Sequence, residues 1–157
     1  MQKITPCLWF NFNAEEAVRH YLGIFRSGRI VRTLHYCDAQ PELKGRVLMI
    51  EFEIEGQLFQ ALNGGPQFPF TEAVSLSVDC ETQADVDAIW AQLTDGGTPG
   101  RCGWLKDRFG LSWQIVPRVM IARLTDPDPT KAARAMQAMM TMGKIDIAAI
   151  EKAFDGR

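Results

Sequence analysis

The chain has 157 residues, of which 46% are hydrophobic and 23% charged, enough for a compact core without disulfides or a structural metal. Its formal net charge is -2 and it has no basic run, which excludes a nucleic-acid surface built on clustered Lys and Arg. The amino terminus lacks the apolar core of a signal peptide, and no stretch approaches about 18 apolar residues. We therefore expect a cytoplasmic protein with no membrane partner.

The first predicted strand, residues 4–10, alternates between two faces. Leu8 and Phe10 share the apolar face, whereas Cys7 and Trp9 lie on the other one. A tryptophan on the polar side of a strand indicates either the aromatic wall of a ligand pocket or a dimer contact. The sequence leaves both interpretations open.

A helix is predicted from Asn13 to about residue 25. Asn13 can accept a hydrogen bond from a free backbone N–H, and Glu16 can reach back in a capping box. The same pattern returns at Thr82 and Asp85, where a second helix, residues 83–93, is predicted. This repetition predicts two similar modules, and a cavity between such modules is a common place for a ligand.

Three more strands, residues 30–36, 47–55 and 58–62, complete the first module, the last two joined by a hairpin turn at Glu55-Gly56. Glu51 lies on the polar face of the longest strand. It is either a solvated strand charge or, if a cavity raises its pKa, a candidate general base.

The second module begins with a predicted strand at residues 73–78 and ends with one at 111–116. Asp107, in a tight turn between them, is predicted to be structural. We expect modules at about 3–65 and 70–117. A helical tail, residues 118–157, would pack over one module or a partner subunit. The four cysteines have no Cys-x-x-Cys spacing and are predicted to be reduced and mostly buried: Cys7, Cys37, Cys80 and Cys102.

Five strings carry a resemblance to a known family: ITPCLWF at 4–10, NAEEA at 13–17, ALNGGP at 61–66, CGWLKD at 102–107 and FGLSWQIVP at 109–117. They resemble the PhnB-like family, often labelled 3-demethylubiquinone-9 3-methyltransferase. This family lies in the vicinal oxygen chelate superfamily with the glyoxalase and bleomycin resistance proteins. The resemblance implies an α+β fold of two βαβββ modules, here followed by the helical tail, and a homodimer.

The superfamily's enzymes place one metal ligand, usually His or Glu, on each of four strands. The resemblance carries these positions to Thr5 or Pro6, Gln60, Ala73 and Gln114. Alanine cannot ligate and both glutamines are neutral, so we predict no metal and no cofactor. Strand alternation anchored on these positions assigns Leu58, Leu62 and Ser77 to the cavity face together with most of the predicted ligand-binding residues, which are Cys7, Trp9, Glu51, Gln60, Ser75, Ser112 and Gln114.

Two functions from different classes follow. The first is a metal-free protein that binds a small aromatic or amphipathic molecule. The second is an enzyme acting on a small metabolite, either by the methyl transfer that the family label names or by a lyase or isomerase step using Glu51. We favour binding, and the sequence names neither a catalytic residue nor the ligand.

Overall fold

The computed structural model describes residues 3–157, which form two compact units. The first unit ends at Phe70, and the second spans Thr71–Arg157 and includes the helical tail. Each unit contains one strand, one helix and three further strands in that order. The predicted α+β fold of two βαβββ modules with a carboxyl-terminal helical tail is therefore confirmed.

The first unit is a four-stranded sheet with one helix on it. The elements are β1 (Cys7–Phe10), α1 (Ala14–Ile24), β2 (Gly28–His35), β3 (Val47–Ile54) and β4 (Gln57–Asn63). The strands lie in the order β1-β4-β3-β2, with β1 parallel to β4 and the other neighbours antiparallel. The helix α1 buries Ala17, Val18 and Tyr21, and the Tyr21 ring stacks on Phe52 of the sheet.

The hairpin between β3 and β4 forms at the predicted turn. Glu55 and Gly56 both have positive φ, 48° and 78°, as the tightest hairpin turns require. Ile54 and Gln57 close the ladder on either side of it. Because the turn fixes the register, Glu51 lies directly opposite Gln60.

The start of α1 differs from the prediction. Asn13 makes no side-chain capping bond. Instead Asn63, at the end of β4, accepts from the backbone N–H of Ala14 at 2.9 Å through its Oδ1. The predicted capping box is therefore wrong for α1, because a residue distant in sequence performs the same function. In the second unit Thr82 and Asp85 form both capping bonds, as predicted.

The second unit repeats the arrangement and adds the helical tail. Its elements are β5 (Ser75–Cys80), α2 (Gln83–Thr94), β6 (Thr98–Pro99), β7 (Trp104–Lys106), β8 (Ser112–Pro117), α3 (Arg118–Leu124), α4 (Pro129–Met140) and α5 (Ile147–Asp155). The strand order is β5-β8-β7-β6, with β5 parallel to β8. The first strand begins two positions later than predicted, so Ala73 lies in the turn before it.

The helical tail packs within the second unit. Its apolar cluster includes Met120, Ile150 and Phe154. The Gln83 side chain ties α2 to the tail, since its Nε2 donates to Ile145 O at 3.1 Å and its Oε1 accepts from Ile147 N at 2.8 Å. The sequence predicts that the tail packs over one module or over a partner subunit, and in the structure it packs on the second module.

Asp107 is buried at the turn before β8, where its carboxylate organises the local backbone. Its Oδ1 accepts from Phe109 N and Leu111 N at 2.9 and 3.0 Å, and its Oδ2 accepts from the Trp113 indole N–H at 2.8 Å. The predicted structural role is confirmed.

The cysteines are free thiols, but the prediction that most are buried is wrong. Only Cys80 is buried; Cys7 and Cys37 are exposed and Cys102 is half-buried. Cys7 lies on the polar face of a strand and Cys37 in a loop, so neither joins a core. Burial, with help from Asp85 and Asp79, raises the pKa of the Cys80 thiol to about 11. Among the described residues, no helix has both the length and the apolar character needed to cross a membrane.

Candidate functional site

Each sheet has a face turned away from its own helix. In the first unit, Phe59 and Ala61 of β4 are buried on the α1 side, whereas Gln60 between them is half-buried on the opposite side. Strand β1 alternates in the same way, since Leu8 and Phe10 are buried and Cys7 and Trp9 are less so. The predicted assignment of Cys7, Trp9, Leu58, Gln60 and Leu62 to one face is consistent with this alternation.

A polar row crosses the first sheet on this face. The strand register places Cys7 beside Gln60, Gln60 beside Glu51 and Glu51 beside Arg32. Arg32 donates to both oxygens of Glu51, at 3.1 and 2.7 Å, and Gln60 Nε2 donates to Glu51 Oε1 at 3.2 Å. The predicted residues Cys7, Glu51 and Gln60 therefore lie together, with Arg32 as a member that the sequence analysis missed.

Arg32 reaches this row because β2 is irregular. Ile30 pairs with Phe52 but Arg32 pairs with Glu51, so Val31 is an extra residue in the ladder. The bulge brings Arg29 and Arg32 to the same face, where Arg29 meets Glu53. Arg29 and Arg32 are three positions apart, so a regular strand would place them on opposite faces.

The charge state of Glu51 follows from these contacts. The hydrogen bond from Arg32, opposed by partial desolvation and aided by Gln60, holds the pKa of Glu51 below its usual value. A general base is most effective when its pKa lies near the working pH, which for a carboxyl group means a raised pKa. The alternative in which a cavity raises the pKa of Glu51 is therefore wrong, and Glu51 is an ionised hydrogen-bond acceptor.

Trp9 is held by the segment that follows β4. Its indole N–H donates to Gly65 O at 2.8 Å, and the Phe68 ring meets it edge-on at a centroid distance of 5.0 Å. Gly64 lies so close that a Cβ built there would fall 2.3 Å from the Trp9 ring. The indole therefore has one fixed orientation. Cys7, two positions earlier, is exposed, and partial desolvation by the surrounding atoms raises the pKa of its thiol.

A second polar face occurs in the second unit. Gln114 Nε2 donates to Ser75 Oγ at 2.9 Å, and Ser112 lies beside Ser75 in the register. Ser112 is buried, and its Oγ has no hydrogen-bond partner within the described residues. The predicted residues Ser75, Ser112 and Gln114 thus lie together on one sheet.

Strand β7 adds two residues that the sequence analysis did not assign to this face. Trp104 lies opposite Gln114, and Lys106 lies opposite Ser112 and pairs with Glu72 at 2.6 Å. A strand of three residues is too short to show alternation in the sequence. The residues around Asp107 therefore predicted the turn but not which face of the sheet Trp104 and Lys106 occupy.

The two glutamines occupy equivalent positions. Gln60 pairs with Cys7 of the parallel strand in the first sheet, as Gln114 pairs with Ser77 in the second. In both glutamines the side-chain Nε2 donates the hydrogen bond, to Glu51 from Gln60 and to Ser75 from Gln114. The equivalence supports the carry-over of these two positions from the family.

The donor set does not fit the divalent metal that the superfamily implies. Both glutamines are neutral, Ala73 precedes its strand, and Glu51 is already paired with Arg32. Within residues 3–157, no three His, Cys, Asp or Glu side chains lie close enough together to hold a metal ion. No step of a mechanism can be assigned to a metal at these residues.

Comparisons with known proteins find a matching family model and solved structures with the same fold. The family model described as 3-demethylubiquinone-9 3-methyltransferase matches residues 2–116. A PhnB protein from Bacillus cereus is similar at 34% identity and a TM-score of 0.67, over 74% of this chain and 99% of that one. Protein PA1353 from Pseudomonas aeruginosa has the same fold at 19% identity and a TM-score of 0.59, over 74% and 98%. A search of curated proteins gave no match.

Proposed function

The chain belongs to the 3-demethylubiquinone-9 3-methyltransferase family, the PhnB-like branch of the vicinal oxygen chelate superfamily, and we propose that it binds a small molecule without a metal. The observation that carries the proposal is the polar row of Cys7, Gln60, Glu51 and Arg32 on the sheet face opposite α1. Family membership gives the architecture, and the side chains on this face give the chemistry.

An apolar row runs beside the polar one. The register places Trp9, Leu62, Met49 and Leu34 next to one another across the four strands. Small-molecule sites commonly combine an apolar lining with a few fixed polar groups. A small aromatic or amphipathic ligand would cover the apolar row and bond to the polar one.

The enzymatic alternative is supported only by the description of the matching family, which names a methyl transfer. The lyase or isomerase version needed Glu51 as a base, and the lowered pKa of Glu51 opposes that role. A ligand screen by thermal shift, with analysis of every hit for conversion to product, separates binding from turnover. Conversion of a bound ligand would favour the enzyme.

A Trp9→Ala variant should bind a ligand found in that screen about 1 to 3 kcal/mol more weakly, because aromatic burial is lost. Gln60→Leu should weaken polar ligands more than apolar ones, because it removes a hydrogen-bonding group without opening a large void. Titration calorimetry, at a temperature where circular dichroism shows each variant folded, measures these changes.

Trp90→Ala is the matched control, since Trp90 lies on the helix α2 and not on a strand of either sheet. It should retain the parent affinity. Parent affinity in both Trp9→Ala and Gln60→Leu would show that the ligand binds elsewhere.

Purified protein should carry no stoichiometric divalent ion at the superfamily position, because neutral amides replace the charged or imidazole ligands. Elemental analysis measures this directly. One tightly held zinc, nickel, manganese or iron per chain, lost from a Gln60→Ala, Gln114→Ala double variant, would overturn both the metal-free proposal and the placement of the ligand positions.

The homodimer and the cytoplasmic location stay predictions. For the homodimer, β2 is a poor edge for pairing with a second copy, because two register irregularities and the charges of Arg29 and Arg32 interrupt it. The exposed Ile121, Met136 and Met140 of the tail helices provide a better candidate surface.

A further inference from the structure

The orientation of the Gln60 side chain determines which ligand groups it can bind. An ionised carboxylate only accepts hydrogen bonds, whereas a glutamine amide has a donating end and an accepting end. Glu51 Oε1 lies 3.2 Å from Gln60 Nε2. The reverse orientation would place the Gln60 carbonyl oxygen against the carboxylate, so Glu51 fixes the amide in the observed orientation.

Arg32 keeps Glu51 ionised, the form in which its carboxylate fixes the Gln60 amide. Its guanidinium donates to both carboxylate oxygens, a geometry that favours the ionised acid. The lowered pKa of Glu51 follows from the same contact. At neutral pH the carboxylate therefore remains a pure acceptor.

The other end of the Gln60 amide is left for a ligand. Its Oε1 receives no hydrogen bond from the described residues, and the side chain is only half-buried. The nearby Trp9 N–H cannot serve a ligand as it stands, because it is bonded to Gly65 O. Beside Trp9, Gln60 thus presents a neutral carbonyl acceptor to a ligand.

We propose, building on the proposed function, that this face selects neutral ligands with an O–H or N–H donor on an aromatic or apolar body, such as phenols, and discriminates against carboxylates. Gln60 accepts the ligand's proton donor, and Glu51 is a positioning residue that acts through Gln60. A carboxylate in the same place would set its oxygens against the Gln60 carbonyl with no proton between them, which is costly when water is excluded.

The second unit lacks this selection. The partner of Gln114 is the hydroxyl of Ser75, which can either donate or accept. Both orientations of the Gln114 amide therefore keep a hydrogen bond. The preference for donor-bearing ligands comes from the carboxylate beside Gln60 rather than from glutamine as such.

Three probes of similar shape test the proposal: 2-naphthol, 2-methoxynaphthalene and 2-naphthoate. Protein-detected NMR titration follows the Gln60 side-chain amide and the Trp9 indole N–H. We expect 2-naphthol to shift both signals. The methoxy compound, which cannot donate, should bind about tenfold more weakly, and 2-naphthoate should bind at least that weakly.

A Glu51→Gln variant tests the positioning role, because a neutral partner accepts either orientation of Gln60. The discrimination between 2-naphthol and 2-methoxynaphthalene should fall from about tenfold to about twofold. Glu53→Gln is the matched control, since Glu53 lies on the same strand and face, pairs with Arg29 and has Leu58, not Gln60, opposite it. It should keep the parent's discrimination.

The outcomes separate this inference from the function on which it rests. If 2-naphthoate or the methoxy compound shifts the same signals with the affinity of 2-naphthol, the donor preference is wrong while the binding face stands. Unchanged discrimination in Glu51→Gln also overturns the role of Glu51. If no probe shifts Gln60 or Trp9, both the inference and the proposed binding face are wrong.

Discussion

An Asp107→Ala variant is expected to be destabilised by about 3 to 5 kcal/mol, because three N–H donors lose their buried acceptor. The backbone N–H groups of Phe109 and Leu111 and the Trp113 indole would remain near the buried turn. For a chain of this size such a loss corresponds to a melting temperature lower by about 10 °C.

Thermal denaturation followed by circular dichroism measures this effect. Asp107→Asn should lose roughly half as much free energy, because its amide oxygen still serves the two backbone donors while its NH₂ group faces the Trp113 N–H. Asp79→Ala is the control: Asp79 is an exposed acid on β5, paired with Arg118, and its removal should cost less than about 1 kcal/mol. Equal melting temperatures for the Asp107→Ala and Asp79→Ala variants would contradict the assigned role.

An Asn63→Ala variant is expected to lose about 3 kcal/mol of unfolding free energy. The side chain caps α1 through Ala14 N, donates to Glu15 Oε2 at 2.7 Å and donates to Val47 O at 3.0 Å. One truncation thus removes the helix cap and the bonds that join β4 to α1 and β3. Denaturant unfolding of the variant and the parent measures the difference.

Asn13→Ala is the matched control, because Asn13 precedes the same helix without capping it. It should change the unfolding free energy by less than about 0.5 kcal/mol. Asn63→Asp should be as damaging as Asn63→Ala, since it sets a second carboxylate against Glu15 where the amide donates. A loss in Asn13→Ala as large as in Asn63→Ala would restore the cap that the sequence predicts.

These two sites show which interactions are readable from the sequence. The capping box of α2 joins Thr82 and Asp85, which are close in the chain, so a local pattern suffices to predict it. The cap of α1 comes from Asn63, far along the chain, where the sequence indicates only a break after a strand. A contact made by tertiary structure leaves no local signature.

The same distinction applies to the candidate site. Alternation along β1 and β4 correctly grouped Cys7, Trp9 and Gln60, because period-two patterns hold in regular strands. Arg32 was not among the predicted residues, and since the extra residue at Val31 changes the parity of β2, alternation alone does not place it on this face. The sequence leaves two interpretations of Glu51 open, a solvated strand charge and a general base of raised pKa. The contact with Arg32 lowers the pKa of Glu51 and so opposes the second interpretation.

The close approach of Gly64 to Trp9 links two positions that the chain separates widely. Any side chain at position 64 would overlap the indole, so the glycine is required only while position 9 carries a large ring. As sequences diverge, the two sites should covary: a relative that loses the glycine must also carry a smaller residue in place of the tryptophan. The pair is thus a marker by which genes with this aromatic arrangement can be sorted from genes without it.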